Sequence, residues 1–195
     1  MTKNLVLLGM MGAGKSTVAM IVADRLGRPH LDTDSEVERM AGRPIPIIFE
    51  EEGEPAFRRL ERLAVAHVSR HSNQVVSVGG GAVLDDACLE ALRSSGVLVE
   101  LRASSETLAA RLATQARARP LLVGSDLPAR VAELLELRAP RYALAADHSV
   151  DASGTPVEVA EAVLSWAASV PGVLSREEVG RATGRRRRRR EGGQA

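Results

Sequence analysis

Lys3-Asn4-Leu5-Val6-Leu7-Leu8-Gly9-Met10-Met11-Gly12-Ala13-Gly14-Lys15-Ser16-Thr17, followed by an apolar-periodic run to Leu26, decides the fold. It reads as strand, glycine loop and helix, with Gly27 as the helix stop. Gly9, Gly14, Lys15 and Ser16 fit the phosphate-loop pattern G-x-x-x-x-G-K-[ST]. Glycines allow positive φ and bring successive N–H groups close to phosphate oxygens. The helix that opens near Lys15 directs its dipole and first-turn N–H groups at the same anion. Gly12, Ala13, Gly14, Lys15, Ser16 and Thr17 are therefore the candidate contacts of a nucleotide's phosphates. Lys15 supplies a mobile point charge, and the Ser16 hydroxyl is a candidate Mg²⁺ ligand. Lys3 and Lys15 are the only two lysines in a chain that otherwise uses arginine. A compact ammonium is retained where it faces phosphate.

Outward from that stretch, Arg28-Pro29-His30-Leu31 reads as a second strand ending at Asp32-Thr33-Asp34. In an extended segment Asp32 and Asp34 share one side and Thr33 takes the other. At the C-terminal end of a parallel strand beside the phosphate loop, both carboxylates face the ligand edge. Thr33 and Glu36 also fit a capping box, which would make Asp34 a first-turn helix carboxylate. A short helix at Pro44–Phe49 precedes a longer one from about 54 to 70, which contains Phe57-Arg58-Arg59-Leu60-Glu61. Leu60, Leu63, Ala64 and Val68 are its expected buried stripe. Arg58 can pair with Glu54 or Glu61 on its own helix.

Gln74–Val78 is an apolar strand of the kind covered on both faces, and it runs into Gly79-Gly80-Gly81-Ala82. Three glycines there suit a backbone that a ligand approaches closely. Helices at about 86–94 and 105–113 bracket a strand at 97–101. The stretch 114–125, with Arg117 and Arg119, lacks periodicity and suits a lid that closes over phosphates. A helix from about 127 to 138 is expected to end before Pro140. A strand at 148–150 and a helix at 156–170 complete the pattern. The four histidines show no ligand spacing and read as structural or surface residues.

The 195 residues suit one domain over 1–170, with a helical insert at about 33–62. The net charge of +1 hides an asymmetry: eight Arg and three Glu lie from Arg176 onward, leaving the preceding part at −4. The folded part therefore gives no electrostatic case for nucleic acid. Residues 171–195, with six consecutive arginines at 185–190, are expected to be a disordered extension whose contacts with polyanions are nonspecific. The lone Cys88 excludes an intrachain disulfide and reads as core filler. No signal peptide or membrane-spanning run is evident, so a cytoplasmic location is expected.

In this order and spacing, the phosphate loop, Asp32-Thr33-Asp34, Phe57-Arg58-Arg59-Leu60-Glu61, Gly79-Gly80-Gly81-Ala82, Arg119-Pro120-Leu121-Leu122 and Arg138-Ala139-Pro140-Arg141-Tyr142 resemble shikimate kinase, within the nucleoside-monophosphate-kinase-like P-loop proteins. The resemblance covers roughly residues 3–168. It implies a three-layer α/β/α P-loop kinase fold with a parallel sheet of about five strands, a small substrate-binding helical insert and a lid loop. It also implies transfer of phosphate from ATP, with Mg²⁺, to the 3-hydroxyl of shikimate, on the way to chorismate and the aromatic amino acids, by a protein expected to be a monomer. On that resemblance Asp34 binds the hydroxyl and acts as base. Arg58, Arg138 and the Gly79, Gly80 and Gly81 backbone hold the substrate. Ser16 and, through water, Asp32 manage Mg²⁺. Arg119 reaches the ATP phosphates, and Arg111 lies beside the adenine. Where relatives often carry a basic residue near the adenine, Ser153-Gly154-Thr155 stands here. A gluconate kinase is the alternative among related small-molecule kinases; the two arginines and the triple glycine favour a compact cyclic carboxylate.

Overall fold

A computed structural model describes residues 2–113 and 126–184. The expected lid at 114–125, including Arg117 and Arg119, and the arginine run at 185–190 lie outside the described residues. Five parallel strands form one sheet in the order β2-β3-β1-β4-β5. They are β1 Asn4–Leu8, β2 His30–Asp32, β3 Val75–Ser77, β4 Gly96–Arg102 and β5 His148–Asp151. β1 is buried at every position, as a central strand covered on both faces must be. Its only polar residue, Asn4, is satisfied: Nδ2 donates to His71 O (2.7 Å) and Oδ1 accepts from Gln74 N (2.9 Å), which pins the turn before β3.

The helices are α1 Lys15–Leu26, α2 Thr33–Ala41, α3 Ile45–Val68, α4 Asp86–Ser95, α5 Ser105–Leu112, α6 Leu127–Ala145, α7 Pro156–Ser169 and α8 Arg176–Ala182. With right-handed crossovers, α1 returns to one face, where it packs on α7 and α8, and α3, α4 and α6 cover the other. The crossovers that leave β1 and β3 thus go to opposite faces of the sheet. These neighbouring strands frame the crevice where open α/β sheets bind ligands.

Several elements differ from the sequence expectation. α3 keeps the expected two-helix outline, from Ile45 to a break at Gly53, whose φ of 77° interrupts the helical backbone, and on to Val68, but its buried stripe differs. Its buried face carries Phe57, Glu61, Ala64, Val65 and Val68, while Leu63 is 59% exposed, so the stripe is rotated about its axis and takes in a carboxylate. α2 and α3 share a small separate core of Val37, Ile48, Ala56, Phe57 and Ala64. α6 runs through Pro140 to Ala145. The proline removes one N–H, but Leu134, Arg138, Tyr142 and Ala145 keep one face buried on both sides of it. Cys88 fills core space as expected, and burial, with Asp85 and Glu61 nearby, pushes its thiol up to about 12.

The largest correction concerns the chain after Val170. Val173 and Leu174 are buried in the main core, and α8 packs against α1 and α7. Ser175 and Glu178 form a capping box at the start of α8. The Glu178 carboxylate also accepts from Arg28 Nε (2.6 Å) and Nη2 (3.0 Å), an ion pair with side chains 8% and 0% exposed. Arg28 further donates to Lys3 O and Val173 O, and Arg181 donates to Leu26 O. Residues 171–184 are therefore part of the fold. Low apolar content hid this, because beside Val173 and Leu174 the docking rests on Arg28 and Arg181, bonded to Glu178 and to backbone.

Burial alone would raise the Glu178 carboxyl; hydrogen bonds from Arg28 and Ser175 overcome that and hold it below the ordinary value. Its stabilisation is thus present above the ordinary glutamate pKa and is lost as pH falls through the lowered folded value. Glu178→Ala leaves the Arg28 charge buried without its partner and is expected to cost about 3–5 kcal/mol, read as a lower urea midpoint at pH 7. An unchanged midpoint would mean that α8 does not dock through this pair.

Candidate active site

β1 ends in the phosphate loop. Gly9 has φ 133°, and a Cβ there would stand 2.5 Å from Leu101 O, so the first loop position admits only glycine. Gly14, left-handed at φ 87°, is the N-cap of α1 and provides no side-chain cap. Lys15 Nζ bends back to donate to Gly9 O (3.0 Å) and Met10 O (3.1 Å), so its ammonium lies over the loop.

Asp32 closes β2 and caps α2, a role the sequence pattern assigned to Thr33. Its Oδ1 accepts from the N–H groups of Asp34 (3.0 Å) and Ser35 (3.2 Å). Its Oδ2 accepts from Ser16 Oγ (2.7 Å) and Ser77 Oγ (2.6 Å). Burial opposes the charge, but these four donors outweigh it and hold the carboxyl below its ordinary range. Because the chain turns into α2 at Thr33, Asp32 and Asp34 do not lie along one extended strand. The Thr33 hydroxyl instead accepts from Gly79 N (2.8 Å), tying α2 to the loop after β3. On the other side of Asp32, His30 Nε2 lies 2.9 Å from Ser77 Oγ, and burial lowers the imidazole pKa against the pull of Asp32.

The two glycine loops pack on each other: a Cβ at Gly80 would meet Met11 N at 3.4 Å and Gly9 O at 3.6 Å. Of the loop after β3, Gly79 N–H is taken by Thr33 and Gly80 O by the Tyr142 hydroxyl (2.6 Å). The N–H groups of Gly80 and Gly81 have no partner among the described residues. Asp34 Oδ1 and Glu61 Oε1 converge over Gly79, 2.5 and 2.9 Å from where its Cβ would be.

Arg58 forms both of the same-helix pairs expected for it. Nη1 donates to Glu61 (2.6 Å), and Nε and Nη2 donate to Glu54 (3.1 and 2.8 Å). Those bonds orient its guanidinium over Gly81, where a Cβ would lie 2.8 Å from Cζ. Arg138 is 5% exposed, and its charge acts on both Glu61 and Tyr142. Burial raises the Glu61 carboxyl, with Arg58 and Arg138 opposing it. Glu61 Oε1 and Arg138 Nε are both buried and lack hydrogen-bond partners among the described residues. Such atoms cost free energy until a ligand satisfies them.

A cavity of about 500 Å³ joins the phosphate loop to Asp32, Asp34 and Gly80. It is lined at one end by Asp32, Asp34 and Gly80, along its middle by residues 11–18, and at the other end by Arg111, Ala152, Pro156 and Val159. Arg111 Nη2 donates to Ala152 O (2.8 Å) and reaches the carbonyls of Ser153 and Gly154. The loop lacking a basic residue of its own thus receives positive charge from α5. The structure brings Gly12 to Thr17, Asp32, Asp34, Gly80 and Arg111 around this cavity, with Gly79, Gly81, Arg58 and Arg138 clustered at the Asp34 end; Arg119 lies outside the described residues. Ser77 escaped the sequence reading, and Glu61 was read only as a partner of Arg58 and not as a site residue. A charge on the apolar stripe of α3 was the available signal for Glu61, and nothing in the pattern marked Ser77.

A metal at this site would take the Ser16 hydroxyl directly and Asp32 through water, and no cluster of three or more His, Cys, Asp or Glu occurs among the described residues. That donor set fits Mg²⁺, which completes its shell with water and substrate phosphates.

The family model described as Shikimate kinase matches residues 11–168. The chain belongs to the shikimate kinase family. It is 44% identical over 163 residues to the shikimate kinase of Caldanaerobacter subterraneus subsp. tengcongensis, covering 83% of this chain and 94% of that one. It is 48% identical over 144 residues to that of Symbiobacterium thermophilum, covering 73% and 83%. The solved shikimate kinase from Acinetobacter baumannii in complex with shikimate superposes with a TM-score of 0.83 at 34% identity, over 86% of this chain and 94% of that chain. A gluconokinase from Sinorhizobium meliloti, at 22% identity and a TM-score of 0.57 over 84% of this chain and 90% of that one, shares the fold.

Gly81 has an ordinary φ of −102°, so only the guanidinium above it requires glycine. Gly81→Ala is expected to leave the melting temperature nearly unchanged, because the flexible end of Arg58 can yield. The KM for the phosphate acceptor should rise about tenfold or more, as for the loss of a charge-assisted hydrogen bond, with the KM for ATP unaffected. A normal acceptor KM would mean that Arg58 does not work from above Gly81.

Proposed function

We propose that this chain transfers the γ-phosphoryl group of ATP to the 3-hydroxyl of shikimate, yielding shikimate 3-phosphate and ADP. One observation carries this reading: a cavity leads from the phosphate loop to Asp34 and Gly80, beside which this member of the family places the half-buried Arg58 and the buried Arg138. The adenosine end of ATP suits the apolar surfaces of Ala152, Pro156 and Val159, and its phosphates suit the loop N–H groups and Lys15.

Asp34 is placed to accept a proton from the acceptor hydroxyl as its oxygen bonds to the γ-phosphorus and the bond to the ADP oxygen breaks. Arg58, held by Glu54 and Glu61, and Arg138 provide planar forks for the substrate carboxylate. The Gly80 and Gly81 amides are further donors, and Glu61 Oε1, without a partner among the described residues, is an acceptor for a hydroxyl. Mg²⁺, held by Ser16 and, through water, Asp32, would neutralise phosphate charge. The Lys15 ammonium leaves its carbonyl partners to do the same on the outer phosphates. Arg119 is assigned to those phosphates by the family resemblance. The likeness to shikimate kinases, with a TM-score of 0.83 at 34% identity, favours shikimate over gluconate, whose kinase relative shares only the fold.

A coupled ADP-release assay with ATP and Mg²⁺ tests the assignment: turnover is expected with shikimate and not with gluconate, and the reverse result would overturn it. Lys15→Ala should fold and lose ~10²–10³ in rate, since it removes charge directed at the transition state. Arg58→Lys and Arg138→Lys should each weaken shikimate binding by about 1.5–3 kcal/mol with little change for ATP. Weaker ATP binding with shikimate binding intact would place these arginines on the nucleotide.

A further inference from the structure

We propose that His30 is a positioning residue for the Ser16–Asp32 pair, fixing the Asp32 carboxylate through the Ser77 hydroxyl. The argument rests on the proton count of one hydrogen-bond chain. Asp32 Oδ2 receives Ser77 Oγ at 2.6 Å and Ser16 Oγ at 2.7 Å, while Oδ1 receives two backbone N–H groups. An ionised carboxylate only accepts, so the single Ser77 proton points at Asp32. His30 Nε2, 2.9 Å from the same oxygen, must then donate, with its proton on Nε2. The direction of the chain is thereby set: His30 to Ser77, Ser77 to Asp32.

The backbone makes this chain possible. β2 and β3 pair in parallel with Asp32 opposite Ser77 and His30 opposite Val75, so His30 and Asp32 point to the same face of the sheet and flank the Ser77 side chain. Ser77 is 1% exposed, and its hydroxyl rotor would otherwise be able to turn away from Asp32. A donor on its far side fills its lone pair and holds its proton on the carboxylate. The same carboxylate orients Ser16, so His30 acts at two removes on the oxygens that would hold the metal. Outer-shell partners of this kind tune metal affinity by orienting the ligands.

The inference rests on Ser16 and Asp32 holding Mg²⁺, and the test separates the two. Calorimetric titration of the full chain with ADP, with and without Mg²⁺, gives the Mg²⁺-dependent gain in affinity. Asp32→Asn should abolish that gain; a gain that survives would remove the metal assignment itself. Given that result, Ser77→Ala and His30→Leu should each reduce the gain roughly tenfold, the lower end for outer-shell partners. His30→Gln, whose amide presents an N–H near the position of Nε2, should restore most of it. Equal gains in wild type, His30→Leu and His30→Gln would overturn the proposal. A second readout needs no variant to survive folding. Long-range ¹H–¹⁵N spectra of the imidazoles at pH 8 should show the Nε2–H tautomer for His30, with its signals shifting when Mg²⁺ is added to the ADP complex. An Nδ1–H tautomer would overturn the proposal.

Discussion

The carboxylate of Asp32 accepts four hydrogen bonds, and each comes from a segment whose position the site requires. The Ser16 bond fixes the first turn of α1 against the end of β2. The two backbone N–H donors start α2 and so set the place of Asp34. The Ser77 bond ties β2 to β3 immediately before the triple glycine. With four donors on it, the carboxylate stays ionised despite partial burial, and its negative charge remains fixed beside the loop that receives phosphates. A neutral or rotated group there would loosen four elements together.

Around that centre the fold exposes backbone where chemistry needs it and commits backbone elsewhere. The loops after β1 and β3 are in contact, and they bring the phosphate loop, Asp34 and Gly80 around one cavity. Thr33 and Tyr142 occupy part of the second loop, so the remaining donors are few and directed. The acceptor end is electrostatically unfinished. Glu61 is surrounded by Arg58 and Arg138, yet one of its oxygens and Arg138 Nε lack hydrogen-bond partners among the described residues. A compact anion bearing hydroxyls would complete that set, and a neutral sugar would leave the arginines partly unmatched. This is discrimination by buried groups that penalise the wrong ligand.

Much of this arrangement was legible in the sequence. The phosphate loop carries its own mechanics, and the order of apolar strands and glycine stops reads as a parallel α/β sheet. Features that depend on partners distant in sequence were not legible. Thr33 looked like a helix cap because its real partner, Gly79 N–H, is 46 residues away. The helix through Pro140 survives because tertiary burial on both sides outweighs one missing hydrogen bond. His30 looked like an ordinary strand residue because Ser77, the residue that gives it a role, is brought near only by the register of β2 and β3. Residues 171–184 looked dispensable because few of them are apolar: Val173 and Leu174 join the core, but the rest of the attachment runs through Arg28, Arg181 and main-chain oxygens, which a hydrophobicity pattern cannot register.

That attachment has a consequence for how the chain can be extended. α1 has 12 residues, so about 18 Å separates its phosphate-binding start from its end at Leu26, where Arg181 is bonded. The polypeptide therefore leaves the described fold, at Gly184, from the rim opposite the cavity. Cargo fused beyond that point, whether by gene fusion in evolution or by a laboratory tag, begins where it does not obstruct nucleotide or acceptor. The fusion joint belongs after Gly184, since a joint at Val170 would discard the clamp that secures the far end of the phosphate-loop helix.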